Sequence, residues 1–331
     1  MAGITALKKI QLGKETTPGT AVAAAVVFRG KANIKDAREF GRAAEDIGQL
    51  LPKNRLYEKS RLGLLTMPDQ EATFEFLPYI LAAGVENVVT GAADGTGSGK
   101  IYEFNQGVTE VHTPRTFTIE VGDNQRVDEM EYSFVRSFTL KGAAKDAIRF
   151  SAEWVGKQVS DAEFTAGLSP IDVEEILFGK AKLYLDNSGG TIGTTQKTGT
   201  FLGFSLTHKT GHDMLFTGDG AITPYGIVTH APEITGSIIL EHDATGEAEI
   251  GFARSGAVRL LQIVVQGNAL ATQGTNYAYK TLIFKAAIQY DDVPVTADKD
   301  GDQTVELSFH VVDSDNIVPT YIVVNESATI L

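Results

Sequence analysis

The stretch "DKDGDQTVE" (298 to 306) gathers Asp298, Asp300, Asp302 and Glu306 within nine residues. These hard oxygen donors suit Ca²⁺, which takes about six to eight of them. The spacing is not that of an EF-hand, because Gly301 stands at a variable position, Gln303 replaces the expected glycine and the glutamate comes too early. A tight acidic hairpin turn accounts for the same residues, since Asp and Gly favour turn backbone, and is preferred over calcium. A second candidate is "HKTGH", where His208 and His212 stand four apart. On a helix they would share a face and suit zinc, but the segment reads as a strand end entering a turn. No Gly-x-Ser-x-Gly elbow, phosphate-cradling loop or His-Glu-x-x-His pattern occurs, and paired acids such as "VEEI" lack a partner constellation. The expectation is a protein that is not an enzyme and holds no cofactor or metal.

Runs that alternate apolar and polar residues supply the elements around these candidates. They are "RTFTIEVG" (115 to 122), "EYSFVRSFTLKG" (131 to 142), "AIRFSAEWVG" (147 to 156), "TFLGFSLTHKT" (200 to 210), "EITGSIILEHD" (233 to 243), "AVRLLQIVVQG" (257 to 267), "KTLIFKAAIQYDD" (280 to 292) and "QTVELSFHVVDSD" (303 to 315). In "DAIRFSAEWVGKQ" the alternation predicts that Ile148, Phe150, Ala152 and Trp154 are buried and that Arg149, Ser151, Glu153 and Val155 form the other face. Two helices are expected. One runs through "TMPDQEATFEFLPYILAAG", with Thr66 as cap, Pro68 in the first turn, a bend at Pro78 and a stop at Gly84. The other is "DATGEAEIGFARSG" (243 to 256). The fold class is therefore mainly β: two β-sandwich domains, each with a short flanking helix.

"KDAIRFSAEWVG" and "DQTVELSFHVVD" each follow a long alternating strand and a turn, which suggests a duplication. The expected division is a first domain over 1–160, a linker over 161–175 and a second domain over 176–331. The segment 33–63 shows little strand pattern, and with its flank to about residue 66 it reads as an extended arm or loop; "TGAADGTGSGK" (90 to 100) reads as a flexible loop.

With 331 residues, no cysteine and a net charge of −13, the chain is long enough for two cores without disulfides. No run approaches the roughly 18 apolar residues of a membrane helix, and the first twenty residues lack a signal-peptide core, so a cytosolic protein is expected. The charge opposes a nucleic-acid grip, which needs clustered Lys and Arg. It is uneven: residues 1–165 hold 20 basic and 22 acidic residues, and 166–331 hold 9 and 20.

"IQLGKETTPGTAVAA" (10 to 24), "TPRTFTIEVGDN" (113 to 124), "RSFTLKGAAKDAIRFSAEWVGKQ" (136 to 158), "HAPEITGSIILEHD" (230 to 243) and "VVNES" (323 to 327) together resemble the tail tube proteins of long-tailed, DNA-containing bacteriophages. The similarity covers most of the chain in order. It implies a structural virion protein, assembled in the bacterial host cytoplasm, whose rings stack into a tube that carries DNA from capsid to host. It also implies that long strands line an intersubunit β-barrel in rings of six domains. Two domains per chain give trimeric pseudo-hexameric rings; one would give hexamers. The partners so implied are further copies of the chain, a tape measure protein in the lumen, terminator and baseplate proteins at the ends, and double-stranded DNA passing without specific binding. No membrane is involved.

An acidic lumen would repel phosphates and let DNA pass, so lumen-facing strand positions are expected to be net acidic. The stretch Arg29 to Arg61 has nine basic and five acidic residues, and Arg55, Lys59 and Arg61 are candidates for docking on an acidic neighbour. The competing expectation is a monomeric β-sandwich binding module, an adhesin or carbohydrate binder, using calcium at Asp298 to Asp302.

Overall fold

The computed structural model describes residues 3–51, 55–218, 220–299 and 301–330. Strands dominate, and every pairing between named strands is antiparallel. The first half comprises β1 (Lys9–Lys14), β2 (Val26–Phe28), β3 (Asn33–Asp36), β4 (Glu39–Arg42), β5 (Leu56–Ser60), β6 (Gly63–Glu71), α1 (Leu77–Gly84), β7 (Ala92–Ala93), β8 (Lys100–Asn105), β9 (Phe117–Gly122), β10 (Val127–Ala143), β11 (Arg149–Gly156) and β12 (Gln158–Ala162). The second comprises β13 (Ala181–Asn187), β14 (Gln196–Lys197), β15 (Phe201–Lys209), β16 (His212–Leu215), β17 (Gly226–Thr229), β18 (Glu233–Glu241), α2 (Ala244–Ser255), β19 (Val258–Ala269), β20 (Tyr279–Tyr290), β21 (Ala297–Lys299), β22 (Asp302–Val311) and β23 (Thr320–Asn325).

The two halves repeat one pairing scheme. β10 has β9 on one side and β11 and β12, end to end, on the other; β1 extends the sheet beyond β9 and β2 beyond β1. β20 likewise has β19 on one side and β22 and β23 on the other, with β13 beyond β19 and β14 beyond β13. β11 then pairs with β6 and β6 with β3, as β22 pairs with β18 and β18 with β15. A hairpin separates β3 from β6 (β4–β5) and β15 from β18 (β16–β17), and a helix follows β6 and β18 alike.

One strand joins the halves. β15 pairs on its second edge with the end of β10, Ser137 opposite Lys209 through Ala143 opposite Gly203. The result is a continuous sheet in the order β3, β6, β11, β10, β15, β18, β22, and a single hydrophobic cluster runs beneath it through both halves. Trp154 is buried there with its ring edge-on to Phe117, centroids 6.0 Å apart.

The strand expectations hold at all eight sites, and the first helix is corrected. Residues 63–71 are strand, and the helix begins at Leu77, so Thr66 caps nothing and Pro78 lies in the first turn instead of bending the interior. Pro68 explains the difference. It sits where the β6–β11 register slips between Met67 and Gln70, a bulge in which its missing N–H costs no ladder bond. All eight residues of α1 are buried, so it is a core helix without a polar face.

The second helix is as expected. Asp243 accepts bonds from the Thr245 and Gly246 amides at 2.8 and 2.9 Å, and Gly256 takes the left-handed backbone (φ 64°) that ends it. Asp243→Ala should lower stability by about 1 kcal/mol in urea unfolding, whereas Asp243→Asn, which keeps an acceptor, should cost less.

The 33–63 segment is also more regular than its sequence suggested, since it folds as β3 and the β4–β5 hairpin. Nor is "TGAADGTGSGK" a free loop: the Asp94 carboxylate is buried and accepts the Asn276 and Tyr277 amides at 2.9 and 2.8 Å.

Candidate functional site

The continuous sheet buries one face and presents the other as ordered cross-strand rows. Alternation within each strand puts Phe138, Leu140, Phe150, Ala152, Leu206, Ile238, Leu307 and Phe309 inside. The opposite face carries hydroxyls and charges, and the register aligns them. One row runs Thr66, Glu153, Ser137, Lys209, Glu233; the next runs Ser151, Thr139, Thr207, Thr235, His310; a third runs Glu71, Arg149, Lys141, Ser205, Ser237, Ser308. Thr and Ser suit this position because their hydroxyls bond laterally: Thr139 Oγ1 and Thr207 Oγ1 lie 3.1 Å apart, and Ser137 Oγ donates to Glu153 at 3.3 Å.

Among the described residues of this face, six carboxylates (Asp69, Glu71, Glu153, Glu233, Glu241, Glu306) outnumber four cations (Lys35, Lys141, Arg149, Lys209). Two of the cations are held by neighbours. Arg149 binds Asp69 at 2.6 Å and Glu71 at 2.7 Å, and Lys209 binds Glu233 at 2.7 Å. The Lys209 ammonium holds the Glu233 carboxyl below its ordinary value, and a backbone hydrogen bond followed by Arg149 does the same for Glu71. The excess of carboxylates over cations makes this a surface that disfavours a polyanion.

The expected row of "DAIRFSAEWVGKQ" matches, with Ile148, Phe150, Ala152 and Trp154 buried, except that Val155 is buried as well. The β16–β17 hairpin lies over it: Met214 and Ile227 pack with Phe134, Val155, Leu62 and Leu64. Val155 is apolar because another element covers it.

The sequence-stretch candidates separate in space. His208 lies on β15 and His212 starts β16, strand and turn as expected. His208 points into the core, Nδ1 3.1 Å from the Tyr321 hydroxyl and Nε2 2.9 Å from Gln106 Oε1; His212 Nδ1 lies 3.0 Å from Thr229 Oγ1. Burial pushes His208 down to about 3, and burial with the nearby His112 pushes His212 down to about 4.

Asp298 lies in β21 and Glu306 within β22, which pair as a hairpin, with Gly301 at φ 91° and its amide donating to Asp298 Oδ1 at 3.2 Å. Glu306 is on the sheet face, two strand positions from Thr304. Asp300 lies outside the described residues, as does the side chain of Asp302. Among the described residues no group of three acidic or histidine side chains is placed to hold a metal ion.

No family model and no curated protein matches this chain.

The arm candidates have local partners. Arg55 pairs with Glu45 at 2.7 Å, and Arg61 grips Glu58 through Nε at 2.7 Å and Nη2 at 3.1 Å. The amide of Arg61 donates to the Ile222 carbonyl at 2.9 Å, so the first hairpin's base touches the second hairpin's loop. Lys59 is exposed. The charge pattern of this segment hid the apolar surface between its charges: Phe40, Leu56 and Tyr57 are 55, 53 and 53% exposed, and Leu50 and Leu51 at the tip more so. The signal was present in "IGQLLPKNRLY", an apolar run flanked by charge outside any alternating strand.

Proposed function

We propose that this chain is a structural subunit that polymerises into stacked rings forming a bacteriophage tail tube, the conduit for genomic DNA. The observation that carries the proposal is the tandem repeat of one strand–helix–strand unit, joined by β15 into a continuous sheet with a hydroxyl- and carboxylate-lined face. Two such units per chain make the three-chain ring with pseudo-sixfold symmetry the favoured assembly. The rows of Thr, Ser and carboxylate then form the inner wall. A wall of this kind repels phosphates, offers short side chains that do not reach into the lumen, and lets DNA slide. The acidic second half and the unpaired strand edges find their use in the same assembly, since ring closure removes the edges that would otherwise aggregate.

Within this proposal no residue acts as nucleophile or acid. The tape measure, terminator and baseplate proteins are partners of the tube, and the virion tail is its place.

Electron microscopy of the purified protein tests the proposal. Rings or tubes with an open channel are expected, and mass measurement of the ring should give three chains of 35.5 kDa. A particle that stays monomeric at high concentration overturns it in favour of a binding module.

A further inference from the structure

The repeat leaves one junction made inside the chain and the matching one open. β3 and β15 are equivalent strands: each pairs with the strand entering the helix, and each ends three residues before its hairpin, at Asp36 before Glu39 and at Lys209 before His212. The sequences agree, with Phe28-Arg29-Gly30 and Phe201-Leu202-Gly203 at the same distance from those ends. β15 is bonded on both edges, to β18 and to Ser137–Ala143 of β10. β3 is bonded on one edge, to β6, and among the described residues its other edge has no strand partner.

The hairpins show the same asymmetry. β16–β17 covers Phe134, Val155 and Leu64 of the first half. β4–β5 leaves Phe40, Leu56 and Tyr57 in solvent.

The opposite end of the sheet supplies what β3 lacks. Beyond Tyr290 the chain stays beside β22: the Asp291 amide donates to the Ser308 carbonyl at 3.0 Å, and Ala297 lies opposite Thr304. Thr304 faces Glu241, the last residue of its strand before α2; Arg149 faces Glu71 in the same position before α1 and lies opposite Lys141. The segment 291–297 thus occupies the place of β10's end, the stretch on which β15 sits. Among the described residues no strand pairs with its outer edge, and Val293 and Val295 are 46 and 86% exposed.

We propose that β3 of one copy pairs with residues 293–297 of a second copy, in the register that β15 takes on β10, while the β4–β5 hairpin covers the second half of that copy. β15 sets Ser205 opposite Lys141 and Thr207 opposite Thr139, and Asn33 and Lys35 hold the same rows of β3, Asn33 facing Thr66 as Ser205 faces Ser237, so the transfer sets Asn33 opposite Ala297 and Lys35 opposite Val295. The two edges terminate opposite ends of one sheet, so the contact is head-to-tail and closes a ring if the rotation allows. Pro294 removes one N–H from this edge, which discourages indiscriminate pairing by other strands. The inference rests on the ring proposal and adds the lateral interface.

The chain has no cysteine, so engineered pairs report contacts directly. Assemblies of Asn33→Cys/Ala297→Cys and of Lys35→Cys/Val295→Cys, oxidised mildly, should give a ladder of covalent oligomers on a non-reducing gel. Should a double variant fold poorly, mixing Asn33→Cys chains with Ala297→Cys chains should give a disulfide dimer that neither gives alone in comparable yield. Rings visible by microscopy without cross-linking at either pair would overturn the interface and leave the ring proposal standing. Absence of both rings and cross-links would overturn the two together.

Discussion

Replacing Arg259 by methionine is expected to lower the unfolding free energy by about 3–5 kcal/mol, because it leaves the buried Glu249 carboxylate without its main partner. Arg259 is 2% exposed and Glu249 0%. The guanidinium donates to Glu249 through Nε at 2.9 Å and Nη2 at 2.7 Å, reaches Asn187, and lies 3.9 Å from the Phe252 ring. Tyr290 donates a further bond to Glu249 at 2.9 Å, and Lys197 stands 3.6 Å away. The network fastens α2 to β13, β19 and β20, so its loss should loosen the second half as a unit. Urea unfolding of Arg259→Met, Glu249→Leu and the double variant measures the effect. The double variant should recover part of the loss, since neither charge is then stranded. A cost below about 1 kcal/mol for the single change would show that water reaches the pair and that burial is not its governing feature.

Acid should weaken the same fold over a window set by His208 and His212. In the folded chain their values are depressed to about 3 and about 4, from the ordinary histidine value of 6.5, because burial disfavours the charged ring. The unfolded chain therefore binds protons below pH 6.5 that the folded chain refuses. Stability is fully present above that pH and falls as pH drops toward the folded values, by about 1.4 kcal/mol per pH unit for each histidine. Between pH 6.5 and 4.5 the two together should remove about 5 kcal/mol. His208 faces Tyr321, Phe138 and Gln106, and His212 faces Phe134 and Thr229, so among the described residues the hydrogen-bond partners of both rings are neutral. Urea midpoints from pH 7 to 5 should fall steadily, and His208→Gln should flatten the slope by about half. A midpoint that does not change over that range would sink the argument.

His208 belongs to β15, so the acid effect falls on the strand that ties the halves together. Loss of that strand would expose the edge of β10 from Ser137 to Ala143.

The strands were legible because period-2 alternation survives wherever one face of a sheet is buried and the other wet, as along β10, β11, β15 and β22. β6 was not legible. Its alternation passes through Met67-Pro68-Asp69, and only the bulge opposite Phe150 and Ala152 makes proline compatible with that strand. β3, β4 and β5 were hidden for a different reason: they are short, charged and only partly buried, so nothing in their own residues enforces a period. Of the candidate site, the outward positions Arg149, Ser151 and Glu153 were readable from one strand. Their alignment with Lys141, Thr139, Thr207 and Thr235 was not, because register depends on hairpin geometry and on partners distant in sequence. The calcium residues read as a turn in both views at Asp298 and Gly301.

The shared strand β15 also has a kinetic meaning. A ring built from separate single units forms every lateral contact by collision, and each contact weakens as the solution is diluted. In this chain the contact between β10 and β15 is intramolecular, with an effective concentration fixed by the linker instead of by the cell. Alternate contacts around the ring would then be immune to dilution, and the reaction order of ring formation would be halved relative to a one-unit homologue. In the proposed ring, tandem fusion would place control of nucleation on the remaining contacts and leave the two halves free to diverge in charge, as their unequal content of Lys and Arg illustrates.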